Sequence, residues 1–97
     1  MSEDAKITQI FYALSDPARL KILFLLVENG RTNVRNIASK FEISRSAISY
    51  HLKILKDAEI VDCIREGGDN YYWAKNHLVA DTLRKFADQI DSLNRSA

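Results

Sequence analysis

The sequence predicts a mainly α-helical domain with a β-hairpin set between its last two helices, and three observations predict it. Apolar residues recur at three- and four-residue intervals in five separate stretches, which is the pattern of amphipathic helices. Between the fourth and fifth stretches, two β-favouring runs at 60–65 and 71–74 flank Glu66-Gly67-Gly68-Asp69-Asn70, a strong turn signal. The chain has 97 residues and no internal repeat, which is enough for one domain and not two.

The first helix is expected over 4–14, with Ile7, Ile10, Phe11 and Leu14 on one side. Ser15-Asp16-Pro17 closes it and opens the second, because Pro suits the first position of a helix and Asp16 can cap it. That second helix, 17–28, is apolar around most of its circumference and reads as the central core helix. Asn29-Gly30 ends it. Residues 31–33 form a short connector with room for one extended pairing, a very short strand before the third helix. Asn33 caps the third helix, 34–41, and Glu42-Ile43-Ser44 is a three-residue turn into the fourth, 45–57.

The fourth helix carries the most informative face. Ile48, Leu52 and Leu55 form one apolar stripe, while Arg45, Ser46, Ser49, Tyr50, Lys53 and Lys56 lie off it with no carboxylate among them. Short hydroxyls, one aromatic and several cations on one face suit a helix laid in a DNA major groove. A short helix, a tight turn and a second helix with such a face make a helix-turn-helix, and the hairpin that follows is its wing. In the wing, Tyr71–Trp73 reads as core and cross-strand packing and not as a platform for stacked bases. The last helix, 77–93, places Val79, Leu83, Phe86, Ile90 and Leu93 at spacings of 4, 3, 4 and 3. That narrow seam points to the same helix of a second subunit, with Ile7 and Phe11 of the first helix assisting.

The net charge of +1 conceals a strong asymmetry. Residues 31–56 hold six cations against Glu42 alone, whereas the segments on either side are net acidic. A basic patch centred on the polar-faced helix is the footprint of a nucleic-acid surface. The single Cys63 makes neither an intramolecular disulfide nor a cysteine-rich metal site. No apolar run approaches membrane-spanning length and the N-terminus is too polar for a signal peptide, so the cytoplasm is the expected location. No catalytic Ser/His/Asp spacing, phosphate loop or metal cluster appears, so the chain is not read as an enzyme and no cofactor is expected. His51 and His77 are the only histidines, and His51 is read as a helix residue bonding locally.

Residues 13–23 (Ala13-Leu14-Ser15-Asp16-Pro17-Ala18-Arg19-Leu20-Lys21-Ile22-Leu23), 44–55 (Ser44-Arg45-Ser46-Ala47-Ile48-Ser49-Tyr50-His51-Leu52-Lys53-Ile54-Leu55), Ile60-Val61 and the hairpin from Gly67 to Tyr71-Tyr72 form a specific combination. Over nearly its full length the chain resembles the ArsR-type winged helix-turn-helix repressors. The resemblance implies a homodimer with two recognition helices on a palindromic operator in double-stranded DNA, repressing by blocking a promoter. By position it implies groove contacts from Arg45, Ser46, Ser49 and Tyr50, and phosphate contacts from Arg35, Lys40, Lys53 and Arg65.

Many members of that family sense metals, and this sequence departs from their ligand patterns. The thiolate position on the third helix falls on Asn33-Val34-Arg35, and the positions on the last helix fall on Asn76, Leu78, Gln89 and Ser92. Leu78 has no donor atom and the others are poor zinc ligands, so no metal site is expected. A second departure is the wing, which carries Glu66 and Asp69 where the family's wings bring cations. Those acids favour an alternative reading, a winged-helix module that binds a protein partner with weak or no DNA binding, while the basic 31–56 stretch opposes it.

Overall fold

Local signals at the helix ends fix most of the architecture. The computed structural model describes residues 3–96. It contains α1 (Glu3–Leu14), α2 (Pro17–Asn29), β1 (Thr32–Asn33), α3 (Val34–Ala38), α4 (Arg45–Asp57), β2 (Val61–Glu66), β3 (Asp69–Ala74) and α5 (Asn76–Ser96). Asp16 caps α2 by accepting from the amides of Ala18 at 2.8 Å and Arg19 at 3.2 Å, with Pro17 at the first helical position. Asn33 and Ser44 cap α3 and α4 in the same way, accepting from the amides of Asn36 and Ala47. Each cap supplies an acceptor to first-turn amides that have no partner inside the helix.

The ends of α3 and α4 hold two corrections. The third helix stops at Ala38 and not at Phe41, because the amides of Lys40 and Phe41 turn back to the carbonyls of Ile37 and Ala38, one residue closer than α-helical bonds reach. The link to α4 is therefore longer than the three residues expected. Helix α4 ends in a left-handed turn that no residue pattern announces. The Ile60 amide donates to Leu55, the Glu59 amide donates to Lys56, and Glu59 sits at φ 60° in the place usually taken by glycine.

The hairpin is tighter than the sequence suggests. Glu66 pairs directly with Asp69, leaving Gly67-Gly68 as a two-residue turn. Both glycines have positive φ, 60° and 85°, as the mirror-image turn that suits strand twist requires. The strands therefore run 61–66 and 69–74 instead of 60–65 and 71–74. The very short strand before α3 is present as β1, and it pairs antiparallel with β3 to give a three-stranded sheet in the order β1-β3-β2.

The core joins Ile10 and Ala13 of α1, Ile22, Leu23 and Leu26 of α2, Val34 and Ile37 of α3, the α4 stripe Ile48, Leu52 and Leu55, and Ile60, Val61 and Val79. Helix α2 is not surrounded, as its composition suggests. Its inner face is buried, but Leu20, Phe24 and Val27 form an outward stripe that remains exposed. So small a sheet and so few helices cover only one side of it. Val79, expected in an intersubunit seam, is instead taken up by the chain's own core, with Leu83 packed against that core. Farther along α5, Ile90 and Leu93 are 51% and 65% exposed. Phe86 meets Phe11 of α1 edge to face at 5.0 Å between ring centres. Among the described residues, no helix is long and apolar enough to cross a membrane.

Candidate nucleic-acid interface

The stripe that seats α4 in the core decides which of its side chains face out. Ile48, Leu52 and Leu55 are fully buried, so Arg45, Ser46, Ser49, Tyr50 and Lys53 emerge together on the opposite side. Positions 45, 49 and 53 follow one another at four-residue steps, and 46 and 50 run beside them, so the five cover one continuous face. Among the described residues, the side chains of Arg45, Ser46 and Ser49 meet no hydrogen-bond or ion-pair partner within the chain. Tyr50 stacks at a tilt against His51, and Lys53 reaches Asp57 at 3.4 Å. Arg45, Ser46 and Ser49 therefore present donors and acceptors that are not already engaged, which is the state a surface needs if it is to read base edges.

The other expected contacts do not gather on that face. Arg35 lies on α3 and points its guanidinium at Asp69 of the wing, 3.5 Å away. Lys40 is exposed in the turn after α3. Arg65 pairs in register with Asn70, and strand alternation sets it on the side of Val61 and Cys63, opposite Glu66. Arg31, which the sequence singles out only as part of the basic stretch, joins Glu66 and also lies over the Tyr71 ring at 4.9 Å. On the inner side of the hairpin Cys63 faces Tyr72, and burial, then the neighbouring Cys63, pushes the Tyr72 phenol above its ordinary pKa.

Behind α4 lies a connection that sequence reasoning misses. Arg19 is 6% exposed although it is charged. Its Nε donates to the Ala13 carbonyl at 2.7 Å and its Nη2 to that of Tyr12 at 3.4 Å, so it satisfies the last turn of α1. Its Nη1 lies 3.1 Å from Nδ1 of His51 on α4. Arginine only donates, so Nδ1 accepts, and the bond spans 32 positions instead of being local. The same corner holds Asp16. The amide of Arg19 first, then that of Ala18, with the Arg19 charge adding, keep its carboxyl below the usual carboxylate range. The one signal in the sequence is the Asp-Pro-x-Arg order, which puts an arginine three residues after a cap.

The metal positions of the resembled family do not fit here. Leu78 offers no donor, and among the described residues no three His, Cys, Asp or Glu side chains cluster closely enough to hold an ion.

Comparison with known proteins agrees with this geometry. Residues 16–62 match the model for bacterial regulatory proteins of the arsR family. An uncharacterized HTH-type transcriptional regulator of Methanocaldococcus jannaschii is 39% identical over 93 residues, covering 96% of this chain and 100% of that protein. The transcriptional repressor SdpR of Bacillus subtilis is 42% identical over 74 residues, covering 76% of this chain and 81% of SdpR. Among solved structures, the homodimeric winged helix-turn-helix DNA-binding domain of a possible ArsR-family regulator of Mycobacterium bovis superimposes with a TM-score of 0.73 at 27% identity, covering 96% of this chain and 85% of that one. Helix-turn-helix, wing and sequence relatives converge, and the chain belongs to the arsR family of bacterial regulatory proteins.

Proposed function

We propose that this chain is a cytoplasmic, homodimeric repressor that reads a palindromic operator in double-stranded DNA, one α4 helix per half-site. The observation that carries the reading is the outward face of α4, a continuous array of Arg45, Ser46, Ser49 and Tyr50 on a helix whose other side is locked into the core. Lys53, Arg35, Lys40 and Arg65 supply phosphate contacts around it. Dimerisation uses the exposed and half-buried parts of α1 and α5, namely Phe11, Phe86, Ile90 and Leu93 with Ile7 beside them. The reading contains no catalytic step and no metal. The alternative, a protein-interaction module, draws on the acids of the wing, and in the fold those acids are already engaged by Arg31 and Arg35.

The test is an anisotropy titration of the protein against the DNA upstream of its own gene and against a scrambled duplex. The wild type is expected to prefer the upstream DNA, with affinity falling steeply as salt rises. Arg45→Ala with Ser49→Ala is expected to remove that preference without changing the mass of the dimer. A good base contact contributes about 1–3 kcal/mol, so tenfold or greater weakening is expected. A double variant that keeps full preference overturns the assignment of α4.

A further inference from the structure

The wing tip carries acids where a hairpin lying on DNA gains from cations. Glu66 and Asp69 are direct partners in the hairpin register, so two carboxylates stand side by side. Like charges placed opposite one another across strands repel. Here each is answered from the segment ahead of α4. Arg31 Nη2 donates to Glu66 Oε2 at 2.5 Å, and Arg35 Nη2 donates to Asp69 Oδ1 at 3.5 Å. Arg31 is held a second way, over the Tyr71 ring at 4.9 Å. The pairs lie on the surface, where ion pairs are weak and exchange readily. Carboxylate and phosphate oxygens are rival acceptors for the same guanidinium fork.

Resting on the DNA-binding reading above, we propose that the acidic wing tip is an electrostatic clasp. In the free protein Glu66 and Asp69 occupy Arg31 and Arg35, and they compete with DNA phosphates for them. Two of the six cations in the basic 31–56 stretch are thereby withheld from sequence-independent attraction. The uncommitted face of α4 is untouched by the clasp. Its effect is to lower affinity for arbitrary DNA more than affinity for the operator, and so to widen the gap between them.

The experiment measures binding of wild type, Glu66→Gln and Glu66→Gln/Asp69→Asn to operator and scrambled duplexes across a salt series. Both substitutions lie at exposed or half-exposed wing positions, and circular dichroism melting checks the fold. The double variant is expected to bind the scrambled duplex several-fold tighter at low salt, with a smaller ratio between operator and scrambled DNA. The slope of log affinity against log salt is expected to steepen by roughly 0.9 for each additional phosphate that a freed arginine neutralises. Arg31→Ala alone is expected to cost little in wild type, whereas adding Arg31→Ala/Arg35→Ala to the double wing variant is expected to abolish its gain on the scrambled duplex. Unchanged affinity and slope in both wing variants overturn the clasp. Tighter binding that persists after the two arginines are removed also overturns it, since simple loss of acid then explains the effect. Wild-type protein that binds neither duplex at low salt overturns the DNA reading itself, an outcome distinct from either.

Discussion

In α4 the apolar stripe Ile48, Leu52, Leu55 is wholly covered by the chain's own core, whereas in α5 a stripe of the same rhythm starts covered at Val79 and ends bare at Ile90 and Leu93. Both stripes step by fours and threes, so spacing alone does not say what covers them. Length does. The 13 residues of α4 span about 20 Å and carry three core residues along that length, while the 21 residues of α5 span about 31 Å and meet the core cluster at Val79 and Leu83. The last turns of α5 outrun the core that shelters its first turn. A periodic stripe predicts that something apolar lies against it, and the ratio of helix length to core width says whether that something is in the same chain.

Three substitutions test this contrast. Leu52→Ala removes a fully buried side chain from α4 and is expected to cost about 2–5 kcal/mol in chemical denaturation, whatever the protein concentration. Ile90→Asp with Leu93→Asp is expected to leave the folded subunit intact and yield monomers by light scattering. The melting temperature should then lose any dependence on concentration. An unchanged mass places the subunit interface elsewhere than the end of α5. The smallest effect belongs to the joint between α4 and the sheet. Glu59→Gly relieves a left-handed backbone position and is expected to raise stability by up to about 1 kcal/mol, read as a shift in the denaturation midpoint. A loss there would show that the Glu59 side chain itself stabilises the joint.

The parts of the fold that can be read from the sequence are those written in neighbouring residues. Asp16-Pro17, Asn33 and Ser44 announce helix starts because a cap and the amides it satisfies lie within three positions. The outward face of α4 is visible for the same reason. What escapes is set by distance along the chain or by local competition. Arg19 answers backbone carbonyls of α1 and a histidine 32 positions away, and no periodicity records such partners. The pairs Arg31–Glu66 and Arg35–Asp69 span 35 and 34 positions, so in the sequence the wing looks like bare acid. The apolar composition of α2 suggests enclosure, but composition does not report how much protein is available to enclose it. Val79 shares its spacing with the residues that follow it, and spacing does not reveal where one covering surface ends and another begins.

Arg19 also bears on how far apart two reading helices would sit. A guanidinium has donors only, and this one divides them between the last turn of α1 and His51 of α4. Tilting α4 relative to α1 would strip the His51 partner from a buried charge, and a hydrogen bond to a charged group contributes about 1.5–3 kcal/mol. In a dimer joined through α1 and α5, that tie works as a fixed spacer. Half-sites of a palindromic operator lie roughly 34 Å apart, one full turn of DNA, and such a spacer would hold the two reading helices to a single separation. An operator lengthened by a single base pair between its halves would meet a protein that has no inexpensive way to stretch.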